Sequence, residues 1–170
     1  LARLADVTAR REPERAGDRP PPPGAELALE AVTFAYAAGA EPVVDCLTLR
    51  IAEGEHLAVV GPSGGGKSTF ANLLAGLLEP GAGCVSLDGI PLAELDGAGL
   101  RGALTLIPQE AYVFAGSVRE NVAYLRPGAD DIAIWHAVRE VGAGELVERL
   151  GGLDPALGPG GGGLSAGERQ

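Results

Sequence analysis

Nine consecutive residues, Gly61, Pro62, Ser63, Gly64, Gly65, Gly66, Lys67, Ser68 and Thr69, place a glycine, four further residues, a second glycine, a lysine and a hydroxyl side chain in unbroken succession. That spacing is the signature of a P-loop, a turn that wraps a polyphosphate. Gly64, Gly65 and Gly66 let the backbone approach the phosphate oxygens with no side chain in the way. Lys67 reaches the β and γ phosphates as a point charge, and the Ser68 hydroxyl is a ligand for Mg²⁺. Gly61, Ser63 and Thr69 complete the candidate binding set.

Charge makes this arrangement demanding. Twenty-three acidic residues face 13 basic ones, for a net charge of -10, and Lys67 is the only lysine among them. A surface of that sign repels the phosphate backbone of nucleic acid and offers nothing to anionic lipid, so neither is expected as a bulk electrostatic partner. Triphosphate must instead be held by local geometry, meaning backbone N–H groups and the positive end of a helix dipole.

The elements needed to build that geometry are legible around the motif. His56 to Val60 is a short apolar run suited to a buried parallel strand, and it leads directly into the glycines. After them Phe70, Leu73, Leu74, Leu77 and Leu78 fall on one helical face, with Glu79-Pro80-Gly81 as the stop. Ahead of the motif, Leu27, Leu29, Val32, Phe34 and Tyr36 alternate, as do residues from Val43 to Ile51, and both read as antiparallel strands. Further strands are expected at Cys84 to Leu87, closed by a turn at Asp88-Gly89, and at Leu104 to Ile107. Helices are expected at Ser117 to Tyr124, Asp130 to Val141 and Glu145 to Leu150, then a glycine loop from Gly158 to Gly163. The hydrophobic fraction of 46% suffices for a core, and 27 glycines with 13 prolines imply many tight loops. No apolar run approaches the ~18 residues of a membrane-spanning helix. Cys46 and Cys84 lie in apolar strand-like runs without metal-ligand spacing and are expected to be buried free thiols. Asp96 to Gly99 matches the Asp-x-x-Gly of GTPases, but guanine recognition needs a second lysine, which is absent.

Residues 1–24 are rich in charge and contain the run Pro20 to Pro23, which reads as a linker. Leu1, Leu4 and Val7 have the spacing of the last turns of a helix. With no initiator Met and an abrupt end at Gln170, the chain reads as a piece of a longer polypeptide.

From about Leu27 onward the sequence resembles the nucleotide-binding domain of ATP-binding cassette (ABC) transporters of the exporter type. Besides the P-loop, "VTFAY" looks like the strand whose aromatic, here Tyr36, stacks on adenine. "LTLIPQE" looks like the Q-loop, making Gln109 the residue that senses Mg²⁺ and γ-phosphate and faces the membrane domain. "YVFAGSVRENV" resembles the exporter segment that follows, and "LSAGERQ" resembles the signature motif, with Ser165 and Gly167 expected to touch phosphate. Ala166 and Glu168 replace the usual Gly and Gln, and Pro159 stands where exporters place a Glu that contacts the membrane domain.

The resemblance implies an α/β fold with a P-loop NTPase core, an antiparallel β subdomain and a helical subdomain over about residues 117–164, incomplete at its C-terminal side. It implies ATP and Mg²⁺ as cofactors, a second nucleotide-binding domain paired head to tail, a transmembrane domain as partner, and a place on the cytoplasmic face of the membrane. Residues 25–170 are then a partial nucleotide-binding domain. The Mg²⁺-binding Asp, the catalytic Glu and the switch His of the family follow the signature, so residues 1–170 are expected to bind ATP without hydrolysing it. Two other readings stay open at this point: a soluble ABC-type ATPase acting on DNA or ribosomes, and a non-catalytic ATP-binding module.

Overall fold

The alternating apolar residues after Gly24 form β1 (Leu27–Phe34), which pairs antiparallel with β2 (Val44–Ile51) on one side and β3 (Ala82–Leu87) on the other. β3 turns back into the short β4 (Ile90–Pro91), so the sheet order is β2-β1-β3-β4. The turn is Asp88-Gly89, both at positive φ (48° and 77°), the two-residue hairpin whose twist matches antiparallel strands. These features belong to a computed structural model of the protein, which describes residues 17–108 and 112–169. The helical spacing at Leu1, Leu4 and Val7 and the candidate Gln109 lie outside the described residues. The chain divides into two compact units, Leu1–Leu106 and Ile107–Gln170.

In the first unit the β1–β2 ladder is interrupted at Ala31 and Cys46. Two threonines make good the lost bonds across the strands. The Ala31 N–H donates to Thr48 Oγ1 at 2.9 Å and the Cys46 N–H to Thr33 Oγ1 at 3.0 Å, so these two donors are satisfied where the ladder is irregular. Cys46 is exposed as a result and Cys84 is half-buried, which corrects the expectation of two buried thiols.

The helix after the glycines is α1 (Lys67–Leu74), which buries Thr69, Phe70 and Leu73. Phe70 and Leu73 share a core with Leu29, Val32, Phe34, Val44, Val85 and Leu87, so the sheet is the bed on which the P-loop helix lies. α1 ends earlier than the leucine spacing predicts. Gly76, at φ 67°, donates to the Leu73 carbonyl (3.0 Å) while Leu77 donates to Asn72 (2.8 Å). This is a Schellman stop, which only a residue at ease in the left-handed region makes cheaply. Leu77 is left outside the helix and exposed.

α2 (Gly97–Ala103) begins at Asp96, whose carboxylate accepts from the N–H groups of Ala98 (3.0 Å) and Gly99 (2.7 Å). The stretch that matches a GTPase switch is therefore a helix cap. The described end of the proline-rich segment docks beside it. Arg19 donates from its N–H to Glu94 O (3.1 Å), accepts from Asp96 N (2.8 Å) and pairs with the Glu94 carboxylate.

Two expected strands are absent. His56 to Val60 and Leu104 to Ile107 have strand composition, yet neither is paired in a sheet among the described residues, and Leu57, Val59, Val60 and Ile107 are exposed. Composition marks a segment as suited to a strand. Pairing needs a neighbouring backbone, and the described residues offer these two runs none.

The second unit contains a two-stranded sheet, β5 (Gly116–Ser117) with β6 (Ala156–Leu157), and α3 (Val118–Val122), α4 (Asp131–Glu140), α5 (Gly144–Arg149) and α6 (Ala166–Arg169). Val118, Ile134, Val138, Val147 and Leu153 form its core. Arg119 ties it together by bonding both Asp131 and Asp154, which raises the guanidinium pKa above its ordinary value, first through the bond to Asp131 and then through that to Asp154. Among the described residues no helix is long and apolar enough to cross a membrane.

Because Leu73 is fully buried on the sheet-facing side of α1 and Val60 is 89% exposed, the two should differ sharply on truncation. Leu73→Ala is expected to cost about 2–5 kcal/mol, and Val60→Ala to stay within about 0.5 kcal/mol, in urea unfolding followed by circular dichroism. Comparable losses for both would contradict the packing described.

Candidate nucleotide-binding site

The loop from Gly61 to Gly66 is closed by its own backbone, the Gly65 N–H donating to the Pro62 carbonyl at 3.1 Å. Gly66 is the residue from which α1 starts, at φ 80°, and a Cβ there would come within 3.0 Å of the Val43 side chain and 3.2 Å of its carbonyl. Only glycine satisfies both the left-handed conformation and that close approach to the residue just before β2. The loop is thus fixed against the sheet.

The N-terminus of α1 receives no side-chain cap and has no acid in its first turn, whereas Asp96, Ser117 and Asp130 each cap the helix that follows them. Its first N–H groups have no intrahelical acceptor, and the helix dipole adds positive potential at the same point. Lys67 brings the charge. Its ammonium donates to the carbonyls of Gly61 (2.9 Å) and Pro62 (2.6 Å), which hold it beside the loop. Ser63 and Ser68 are exposed, on the loop and in the first turn of α1. The Ser68 hydroxyl fits a Mg²⁺ ion, a hard cation that takes one or two protein oxygens and completes its shell with phosphate and water. Among the described residues no cluster of His, Cys, Asp and Glu offers a site for a metal without phosphate.

Tyr36 comes to the same place from the end of β1. Its hydroxyl is 2.9 Å from Thr69 Oγ1 in α1, and its ring meets Phe34 edge to face with centroids 5.0 Å apart. The residue remains two-thirds exposed. The first unit therefore brings together Tyr36 and every P-loop residue singled out in the sequence. It also carries a groove of about 520 Å³ beside Lys67, lined by Val44, Leu47, Leu49, Val59 and Phe70 among others.

Ser165 and Gly167 belong to the second unit. Ser165 caps α6 reciprocally: its N–H donates to Glu168 Oε2 (2.8 Å) and its hydroxyl accepts from the Glu168 N–H (3.3 Å). This is a capping box, and Arg149 from α5 pairs with the same carboxylate. These bonds, with the Ser165 N–H first, hold the Glu168 carboxyl below the usual carboxylate range. In the sequence Glu168 stands out only as a replacement for Gln, although the pattern Ser-x-x-Glu could have revealed the box. Nothing in the spacing announces Arg149. Upstream, Asn121 clamps Phe114 by accepting from its N–H (2.8 Å) and donating to its carbonyl (3.1 Å), a pairing invisible without coordinates.

A family model described as ABC transporter matches residues 44–170. The ABC transporter ATP-binding protein RamB of Streptomyces coelicolor is 50% identical over 142 residues, covering 84% of this chain and 23% of RamB. The mycobactin import ATP-binding/permease protein IrtB of Mycolicibacterium smegmatis is 41% identical over 145 residues, covering 85% of this chain and 25% of IrtB. A solved structure of a bacterial Atm1-family ABC exporter with ATP bound superposes with a TM-score of 0.84 at 30% identity, covering 99% of this chain and 30% of that one. The chain spans less than a third of each of these proteins.

The capping box has a pH signature. A carboxyl whose pKa is lowered on folding stabilises at pH values above its unfolded pKa, and that contribution is lost as pH falls through the lowered folded value. Amide NMR of Ser165 should therefore titrate below the ordinary glutamate range, and Glu168→Gln should abolish the inflection. A midpoint at or above the ordinary glutamate value would contradict the box.

Proposed function

We propose, for a chain that belongs to the ABC transporter family as an ATP-binding domain of exporter type, that MgATP is held with its phosphates in the Gly61–Thr69 loop and its adenine against Tyr36. The observation that carries this reading is the uncapped N-terminus of α1 with the Lys67 ammonium held beside it by the Gly61 and Pro62 carbonyls. Triphosphate oxygens then take the free N–H groups of the loop and first turn, and Lys67 turns from the carbonyls to the β and γ phosphates. Mg²⁺, when bound, neutralises charge between those phosphates, and Ser68 is the residue of this chain that would hold it. The exposed ring of Tyr36 contributes stacking of roughly 1–3 kcal/mol.

The wider role belongs to a longer protein. In our reading residues 1–24 link to a transmembrane domain, and two ATP-binding domains pair head to tail, so that each nucleotide lies between Lys67 of one copy and Ser165 and Gly167 of the other. Gln109 couples the γ-phosphate and Mg²⁺ to the membrane domain from the cytoplasmic face. Export is supported by the Tyr112 to Val122 segment and by the likeness to an Atm1-family exporter. IrtB, by contrast, carries import in its name. The acidic charge speaks against a nucleic-acid partner. Hydrolysis draws on the carboxylates and the histidine that the family places after the signature, so residues 1–170 bind ATP without turning it over.

Loss of the Lys67 charge should remove a charge-assisted contact and weaken ATP about 10- to 100-fold, so Lys67→Ala is the first variant to titrate by calorimetry. Affinity equal to the parent's would overturn the site. In the protein extended past the signature, turnover should appear and Ser165→Arg should abolish it by blocking the partner's γ-phosphate position. Lys67-dependent hydrolysis by residues 1–170 alone would contradict the division between binding and turnover.

A further inference from the structure

Thr69 follows the P-loop pattern directly and belongs to the candidate binding set, yet the hydroxyl of this buried residue is engaged away from the loop. Thr69 is 5% exposed, and its Oγ1 lies 2.9 Å from the Tyr36 hydroxyl, a bond between residues 33 positions apart in sequence. Tyr36 leaves β1 at Phe34, whose ring it meets at an interplanar angle of 85°, and the residue is 66% exposed to solvent. The ring is thus restrained at its edge by Phe34 and at its tip by Thr69, with surface left for a planar base.

We infer that Thr69 is a positioning residue for base recognition: through its hydroxyl it sets the distance between the Tyr36 ring and the phosphate-binding turn. The inference rests on the reading that Tyr36 stacks adenine. A nucleotide is one covalent molecule of fixed reach, so its phosphates and base can be held together only if platform and loop keep a matching separation. Thr69 stands in the first turn of α1, two residues after Lys67. Its bond to Tyr36 therefore references the ring to the helix end that receives the phosphates. A free tyrosine would have to be immobilised on binding, which costs about 2- to 10-fold in affinity for one mobile side chain. The Thr69 hydroxyl meets that cost during folding.

The test separates base from phosphate by comparing ATP with inorganic tripolyphosphate, each titrated by calorimetry into this chain and its variants. Thr69→Val keeps the shape and removes the hydroxyl, and Tyr36→Phe keeps the ring and removes its partner. Each should lower the ratio of ATP to tripolyphosphate affinity by about 3- to 10-fold. The double variant should fall no further than either single one, and Thr69→Ser, which retains a hydroxyl, should recover most of the ratio. Equal weakening of both ligands by Thr69→Val would place the hydroxyl on the phosphates and overturn the inference. Additive losses in the double variant, or an unchanged ratio in both singles, would overturn it as well. Tyr36→Ala judges the underlying reading separately: if it leaves the ratio unchanged, adenine does not stack on Tyr36, whatever Thr69 does. Tyr36 is exposed and outside the core, so its variants keep the test decisive even where a change at buried Thr69 disturbs folding.

Discussion

The ammonium of Lys67, held by the carbonyls of Gly61 and Pro62, is the contact that the rest of the first unit is built to present. A chain with net charge -10 that receives a polyanion must place its positive potential at one point and keep it there. Free N–H groups at the start of α1 and a single lysine supply that potential. The loop can present them only because Gly66 takes a left-handed conformation against Val43, and α1 stays in register only because Phe70 and Leu73 are buried on the sheet. The four-stranded antiparallel layer is, in this sense, the foundation of a phosphate site.

Much of this was legible in the sequence, and for local reasons. The P-loop spacing, the alternation from Leu27, the Asp88-Gly89 turn and the helix expected at Asp130 to Val141 are dictated by residues close to one another, and the strand, turn and helix form there to within two residues at each end. The failures share a different cause. His56 to Val60 and Leu104 to Ile107 have strand composition, but a strand is a relation to a neighbour, and composition alone cannot supply one. Leu77 and Leu78 extend the helical face on paper, while the free energy of a Schellman stop at Gly76 decides otherwise. Cys46 looked buried because its neighbours are apolar, but an irregularity in β2 leaves it exposed.

The candidate site divides along the same line. Its candidate phosphate-binding residues are legible from spacing, since the chemistry requires them in sequence order. The bond from Tyr36 to Thr69 crosses between a strand end and a helix, and the one from Arg149 to Glu168 joins α5 to the signature helix. Neither leaves a trace in linear spacing. In the second unit the replacement of Gln by Glu at 168 acquires a structural reason in the ion pair with Arg149, since the capping box on Ser165 is one that either side chain can close. A residue that departs from the usual signature thus also holds the start of its helix.

The central claim is that triphosphate displaces the loop carbonyls at Lys67 and takes the N–H groups of the turn and first helical residues. Amide hydrogen exchange, read residue by residue with and without MgATP, tests it most directly. The account predicts that new protection is concentrated at Gly64 to Thr69, the turn and the start of α1, with Gly65, already bonded to the Pro62 carbonyl, changing least. Protection confined to other segments, with Gly64 to Thr69 exchanging as fast as in the free chain, would contradict it.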